Sequence, residues 1–312
     1  MQNVDIYSHV KIGIVLGCPR SGTTFIMNAL NTFPDVESAS GVLLPAGICQ
    51  IVNQPMPQEV YDALAIEFDR SLHRYLSTGW YRSRAGALQK WFAAQSGLRG
   101  LLDALKGRRQ LTSLIYKEPF LSFAPEFVRQ ALPAAPILHI YRDGRDCAHS
   151  LVRTYDVLTD AKLTNFNSAE MRWGRKIDHR FVPWWVEDGM EEEFLKSTPY
   201  VRAVWMWKIM VRRCRNYFST EEEGDRHNVL SLCYETLMRN PKDTGQQIAD
   251  HFGLMPNKKF QKAISSAHTR SIGKYKSRNS REIAEANRIA GAELRVLGYE
   301  VRGDKPHTPL TR

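Results

Sequence analysis

Residues 17–24 read Gly17-Cys18-Pro19-Arg20-Ser21-Gly22-Thr23-Thr24, and the segments on either side give this octet its meaning. Before it, Ile12-Gly13-Ile14-Val15-Leu16 is a short apolar run suited to a buried parallel strand; after it, Thr24 to Leu30 begins a helical pattern. A strand that passes through a glycine-bearing turn into a helix aims backbone N–H groups and the positive helix end at an anion. The spacing is that of the phosphate-cradling loop G-x-x-x-x-G-K-[ST], except that Thr23 stands where the lysine belongs and the positive charge sits earlier, on Arg20. A plain strand-to-helix turn would use the same glycines, so the octet needs a second witness.

That witness is Ile137-Leu138-His139-Ile140-Tyr141-Arg142-Asp143-Gly144-Arg145-Asp146-Cys147-Ala148-His149-Ser150. Again an apolar strand runs into a turn and then a helix, with Arg142 at the strand's carboxyl end and Ser150 eight residues later on the helix. Ligands of open α/β sheets bind beyond the carboxyl ends of the strands. The two runs therefore present cations and hydroxyls suited to a ligand with two separated phosphates.

Apolar runs place strands near 11–16, 112–116, 137–141 and 229–233. Helical patterns lie near 22–32, 58–76, 84–106, 123–131, 144–155, 201–218, 241–253, 258–267 and 281–297. Alternation of β and α elements predicts an α/β fold: a P-loop-type parallel sheet with helices on both faces. No Pro/Gly/Ser-rich linker or internal repeat divides the chain, so residues 1–312 are expected to form a single domain. Asn240 and Pro241 are expected as N-cap and first residue of the helix at 241.

The pair of motifs resembles the sulfotransferases that use 3′-phosphoadenosine 5′-phosphosulfate (PAPS). The resemblance implies that Arg20, Ser21, Gly22, Thr23 and Thr24 hold the 5′-phosphosulfate, and that Arg142 and Ser150 hold the 3′-phosphate. Three further segments are similar with falling specificity. Lys117-Glu118-Pro119-Phe120 looks like the Lys-Asp-Pro-Phe element of tyrosylprotein sulfotransferases. Val229 to Leu237 is similar to the family's strand ending in Tyr-Glu-Asp-Leu, which would put Tyr234 near the nucleotide. Ser271-Ile272-Gly273-Lys274-Tyr275-Lys276 resembles the late segment that folds back over the cofactor, with Lys274 as its contact.

The chemistry separates two enzyme readings. A P-loop kinase needs the loop lysine and an acidic residue holding Mg²⁺; here the lysine is absent and the strand at 137–141 ends in Arg142. Sulfuryl transfer needs only fixed cations where charge grows on the departing phosphate, so no metal is expected, and Arg20 and Lys117 are the candidates. The general base is harder to find. Ser38-Ala39-Ser40-Gly41, the stretch matching the family's glutamate-bearing element, has no acid, and Pro119 stands where the cytosolic enzymes carry histidine. Glu118 is the first choice, with Glu37 and His73 in reserve. A PAPS-binding protein that has lost its chemistry is the alternative this departure leaves open.

Residues 155–200 are the least family-like and read as a substrate-side insertion. Trp173, Trp184 and Trp185 are interleaved there with Arg172, Arg175, Lys176, His179 and Arg180, which suits a carbohydrate or glycosylated small molecule as acceptor. A phenol or other alcohol is the runner-up, and a structural role for the Trp184-Trp185 pair stands level with the functional one. For Trp205 and Trp207, in the next helical pattern, a structural role stands at least level with the functional one.

The net charge of +10 suits a polyanionic cofactor, and without a recognised nucleic-acid module no such partner is expected. Five cysteines without C-x-x-C spacing suggest reduced thiols. No signal-peptide pattern and no apolar run of about 18 residues occurs. The expectation is a protein without a membrane span in a reducing compartment, most simply a bacterial cytoplasm. Nothing in the sequence fixes the oligomeric state.

Overall fold

Two of the four expected apolar runs flank the octet's strand in space and make it the middle of a sheet. In this computed structural model, which describes residues 9–41, 48–78, 111–165, 174–220 and 228–301 with isolated helical positions 88, 98 and 102, the sheet strands are β1 (Lys11–Leu16), β2 (Val36–Ser40), β3 (Ser113–Lys117), β4 (Ile137–Tyr141) and β7 (Val229–Cys233). A hairpin of β5 (Arg175–Ile177) and β6 (Arg180–Val182) stands apart. The sheet order is β2-β3-β1-β4-β7 and every pairing is parallel. Register sets Val15 opposite Lys117 and Leu16 opposite His139. The carboxyl ends of β1 and β3 therefore lie together.

Helices α1 (Thr23–Leu30), α2 (Gln58–Thr78), α3 (Pro125–Ala131), α4 (Gly144–Thr154), α5 (Pro199–Thr220), α6 (Tyr234–Arg239), α7 (Pro241–His251), α8 (Lys258–Ser265) and α9 (Ser280–Val296) connect or flank the strands. Runs of four consecutive buried residues in β1, β3 and β4 show that both faces of the sheet are covered, since neighbours on a strand point to opposite sides. This is the expected α/β architecture. Asn240 does stand at the N-cap position of α7, but its side chain donates to Asp243 Oδ2 at 2.8 Å and accepts no helix N–H; Pro241 at the first position is as expected. The helix expected at 84–106 falls outside the described residues apart from positions 88, 98 and 102.

By internal contacts the chain divides into two compact units, Met1–Tyr141 with Arg213–Arg270, and Arg142–Arg212 with Ser271–Arg312. The first contains the whole five-stranded sheet. Its core includes Ile14, Leu16, Leu114, Tyr116, Phe68 and Phe127. The Phe68 ring lies 6.0 Å from Tyr116 and 5.7 Å from Phe127, so α2 is stitched to β3 and α3 by aromatic contacts.

The second unit is built around Trp205 and Trp207, both fully buried, as expected for structural tryptophans. Trp185 belongs with them: it is buried and stacks edge-on to Phe194 at 5.5 Å, which in turn meets Trp205 at 5.8 Å. For this residue the structural role prevails. The charges of the 155–200 stretch also find partners within the chain. Arg175 pairs with Asp188 and Glu191, Arg180 donates to Leu195 O, and Glu191, Glu192 and Glu193 open a short helix where the dipole favours acids. Trp173 and Arg172 lie outside the described residues. Among the described residues no helix is long and apolar enough to cross a membrane, and all five cysteines are free.

Candidate active site

The octet forms a strained turn between β1 and α1. Gly17, Arg20 and Gly22 all have positive φ, at 150°, 72° and 107°. A non-glycine residue there costs on the order of 1–3 kcal/mol, the kind of strain that collects at functional loops. Both glycines are required sterically as well. A β-carbon on Gly17 would lie 2.4 Å from Ile140 O, and one on Gly22 would lie 2.6 Å from the Tyr234 ring. The Gly17 N–H donates to Ser122 Oγ at 2.9 Å, so the short turn after β3 braces the first glycine of the loop. Gly22 also serves as N-cap of α1 without any side-chain cap, leaving the helix start open toward an anion.

Exposure sorts the loop's side chains. Ser21 and Thr23 are buried, whereas Arg20 and Thr24 are exposed. Lys117, the last residue of β3, donates from Nζ to Thr24 Oγ1 at 3.2 Å. A lysine side chain thus reaches the end of the loop from the neighbouring strand. Tyr234, the first residue of α6 after β7, lies against Gly22 as the third element at this edge.

Glu118 follows at once. It has left the strand and caps the 3-10 turn Pro119–Phe123, accepting the Phe120 N–H on Oε1 at 3.0 Å. Its other oxygen faces the chain at Gly41, where a β-carbon would stand 3.6 Å from Oε2. Burial raises the Glu118 carboxyl above the ordinary range, with the Phe120 N–H and Lys117 opposing, and burial lowers the Lys117 ammonium, with Glu118 opposing.

The two reserve bases are placed elsewhere, which corrects the sequence expectation. Glu37 lies inside β2, a strand that sequence reading missed. It pairs with Leu114, three residues or about 10 Å short of Lys117, is buried, and accepts from Tyr75 Oη at 3.4 Å. His73 lines a cavity of about 660 Å³ with Lys11 and Ser113, which open β1 and β3, so it belongs to the opposite, amino-terminal edge of the sheet.

The second motif is organised within the second unit. Arg142 is buried, donates from Nη2 to Ser271 O at 2.6 Å, and accepts the Trp207 indole N–H on its carbonyl at 3.0 Å. Asp143 caps α4 by accepting the Arg145 N–H at 2.9 Å and forms a bidentate pair with the Arg145 guanidinium. Arg145 in turn lies 4.2 Å over the Tyr275 ring. Ser150 sits on α4, half-buried, and Lys274 is exposed on the late segment. Burial and the charges of Arg278, Arg153, Arg142 and Lys274 push the His149 imidazole toward its neutral form, which marks a dense cationic cluster. Sequence reasoning did not pick out Asp146, His149, Trp207 or Ser122 as supports of the site. Only Gly144 gave a signal, as a glycine at a helix start, and it packs directly on the Trp207 ring.

No curated protein matches the chain. Among solved structures it is similar to sulfotransferase STF9 from Mycobacterium avium, at 15% identity and TM-score 0.47, over 95% of this chain and 79% of that one. It is also similar to the sulfotransferase domain of the olefin synthase from Synechococcus PCC 7002, at 15% identity and TM-score 0.46, over 92% of this chain and 96% of that one. Residues 14–196, more than half of the chain, match the sequence pattern of the Sulfotransferase family, and the chain belongs to that family.

Proposed function

We propose that this sulfotransferase takes its sulfuryl group from PAPS and transfers it to the hydroxyl of a small molecule or carbohydrate. The observation that carries the reading is the loop after β1. Thr23 is buried where a kinase loop needs its lysine, while Arg20, Thr24 and Lys117 gather cations and a hydroxyl at the same strand ends.

In this reading the loop amides with Arg20, Thr24 and Lys117 hold the 5′-phosphosulfate, and Ser21, Gly22 and Thr23 contribute backbone. Arg142, Ser150 and Lys274 recognise the 3′-phosphate, and Tyr234 supports the nucleotide through its packing on Gly22. The S–O bond to the 5′-phosphate breaks as the bond from sulfur to the acceptor oxygen forms. The electron pair stays on the departing phosphate, where Arg20 and Lys117 stabilise it. Removing one such fixed donor costs on the order of 10²–10³ in rate. The acceptor's proton goes to Glu118, whose carboxyl burial makes a stronger base than an ordinary glutamate. We read residues 1–312 as one sulfotransferase domain, with 155–200 on the acceptor side. Among the described residues a carbohydrate acceptor rests there on Trp184, since Trp185 is core; Trp173 lies outside them.

The test follows labelled sulfuryl from PAPS to a panel of sugars and phenols, beside thermal shifts with adenosine 3′,5′-bisphosphate and with ATP and Mg²⁺. Stabilisation by the bisphosphate with turnover supports the reading. Stabilisation without turnover on any acceptor favours a binding protein that has lost its chemistry, and stabilisation by ATP and Mg²⁺ alone refutes the donor assignment.

A further inference from the structure

Asp146, on the first turn of α4, is a carboxylate only 1% exposed. A buried carboxylate is tolerated only when its oxygens are satisfied. Here Oδ2 accepts the Gly273 N–H at 2.6 Å and Oδ1 accepts the Tyr275 N–H at 3.0 Å. Oδ2 also stands 3.8 Å from Arg142 Nη2, the nitrogen that donates to Ser271 O at 2.6 Å. One carboxylate and one guanidinium therefore fasten the segment 271–275 at three points. Gly273 has φ +76° and its β-carbon would meet nothing nearer than Lys276 Cε at 3.8 Å, so the glycine is there for the turn and not for space.

The fastened segment carries Lys274, and Arg278 follows it. With Arg142 and Arg153 these cations act together on His149, which is 8% exposed and whose Nδ1 has no hydrogen bond among the described residues. Four like charges oppose their own assembly. Glu282 pairs with Arg278 at 2.9 Å, and Asp146 ties the segment to α4 from inside.

We propose that Asp146 is a positioning residue: it sets the 271–275 segment so that Lys274 and Arg142 act on the same 3′-phosphate. The proposal rests on the nucleotide reading above. Its sign is diagnostic. A bare counter-charge would oppose anion binding, so neutralising it would tighten the nucleotide. A positioning residue, once neutralised, releases the segment and loosens it. Asparagine keeps the size and accepts one N–H but turns an amide N–H toward the other donor.

Titration measures the affinities of adenosine 3′,5′-bisphosphate and adenosine 5′-phosphate for wild type, Asp146→Asn and Gly273→Ala. Hydrogen exchange of the Gly273 and Tyr275 amides is followed in parallel. Asp146→Asn is expected to weaken the bisphosphate about tenfold or more, the loss of a bond to a charged acceptor, with the monophosphate little changed and both amides exchanging faster. Gly273→Ala keeps the carboxylate, strains the turn and is expected to act in the same direction to a smaller degree. It carries the test if Asp146→Asn does not fold. A wild-type preference for the bisphosphate that survives in the variants, or grows, overturns the positioning role and leaves the nucleotide reading intact. A wild type without that preference overturns both.

Discussion

Gly144→Ala tests whether the second motif is held by packing. Gly144 is the first residue of α4, where alanine in place of glycine would ordinarily stabilise by about 0.4–1 kcal/mol through the unfolded chain. Here a β-carbon would lie 2.2, 2.4 and 2.7 Å from three atoms of the Trp207 indole. Trp207 is fully buried, so the nearest ring atom must move by about 1.3–1.8 Å to reach ordinary carbon contact near 3.5–4.0 Å, with no free space to move into. Overpacking of this kind costs about 1–3 kcal/mol. The same displacement disturbs the 3.0 Å bond from the indole N–H to Arg142 O, worth roughly 1 kcal/mol more. Set against the gain through the unfolded chain, the expected net loss is about 1–3.5 kcal/mol, or a melting temperature lower by roughly 2–9 °C. Thermal and urea unfolding of Gly144→Ala, Trp207→Leu and the double variant form the assay. Because Trp207→Leu removes the obstacle, the double variant should lose clearly less than the two single losses added. A stabilised Gly144→Ala, or strict additivity, would refute the packing argument. The functional corollary is weaker binding of 3′-phosphorylated nucleotide, since the disturbed carbonyl belongs to Arg142.

Two further outcomes are expected. Glu118→Gln keeps an oxygen for the Phe120 N–H but cannot take a proton, so kcat should fall by about 10²–10⁴ with PAPS affinity nearly unchanged. In wild type the active form is the carboxylate, so kcat should rise with pH through a pKa above the ordinary glutamate range, and that rise should vanish in the variant; full turnover by Glu118→Gln would remove the role. His139, buried in β4 beside Phe218, has its pKa pushed down by burial from 6.5 to about 4. The unfolded chain binds the proton first, so this residue leaves stability untouched above about pH 6.5 and withdraws up to about 3 kcal/mol as pH falls to about 4. His139→Leu should flatten that part of the acid limb, and an unchanged slope in urea titrations at successive pH values would contradict the assignment.

The strands that could be read from the chain are those whose residues are mostly apolar. Lys11–Leu16, Ile137–Tyr141 and Val229–Cys233 have the bounds that their apolar runs predict. The edge strand Val36-Glu-Ser-Ala-Ser40 offers only two apolar residues in five, so although Pro34-Asp35 and Gly41 bound it, the run itself reads as loop. The short hairpin at 175–182 is mostly polar and equally silent. The motifs gave the residues proposed to meet a ligand, because those cluster in sequence. They could not give the supports. Asp146 reaches Gly273 across 127 positions and Gly17 reaches Ser122 across 105, and such contacts leave no local pattern.

The missed strand also explains why the base looked absent. Counting forward from Arg20 arrives at Ser38-Ala39-Ser40-Gly41, where no acid stands. Once that stretch is β2, register puts Ser40 beside Lys117. Glu118 keeps an extended backbone (φ −140°, ψ 106°) and the chain turns only at Pro119, so alternation still sends its side chain to the other side from Lys117. Its carboxylate arrives next to Gly41, at the end of the stretch that lacks one of its own. Glu37, on the same stretch, is held about 10 Å back along the strand by its pairing with Leu114. A carboxylate therefore does stand at this edge, supplied across the sheet instead of along the chain. That is the physical reason to substitute Glu118 before Glu37.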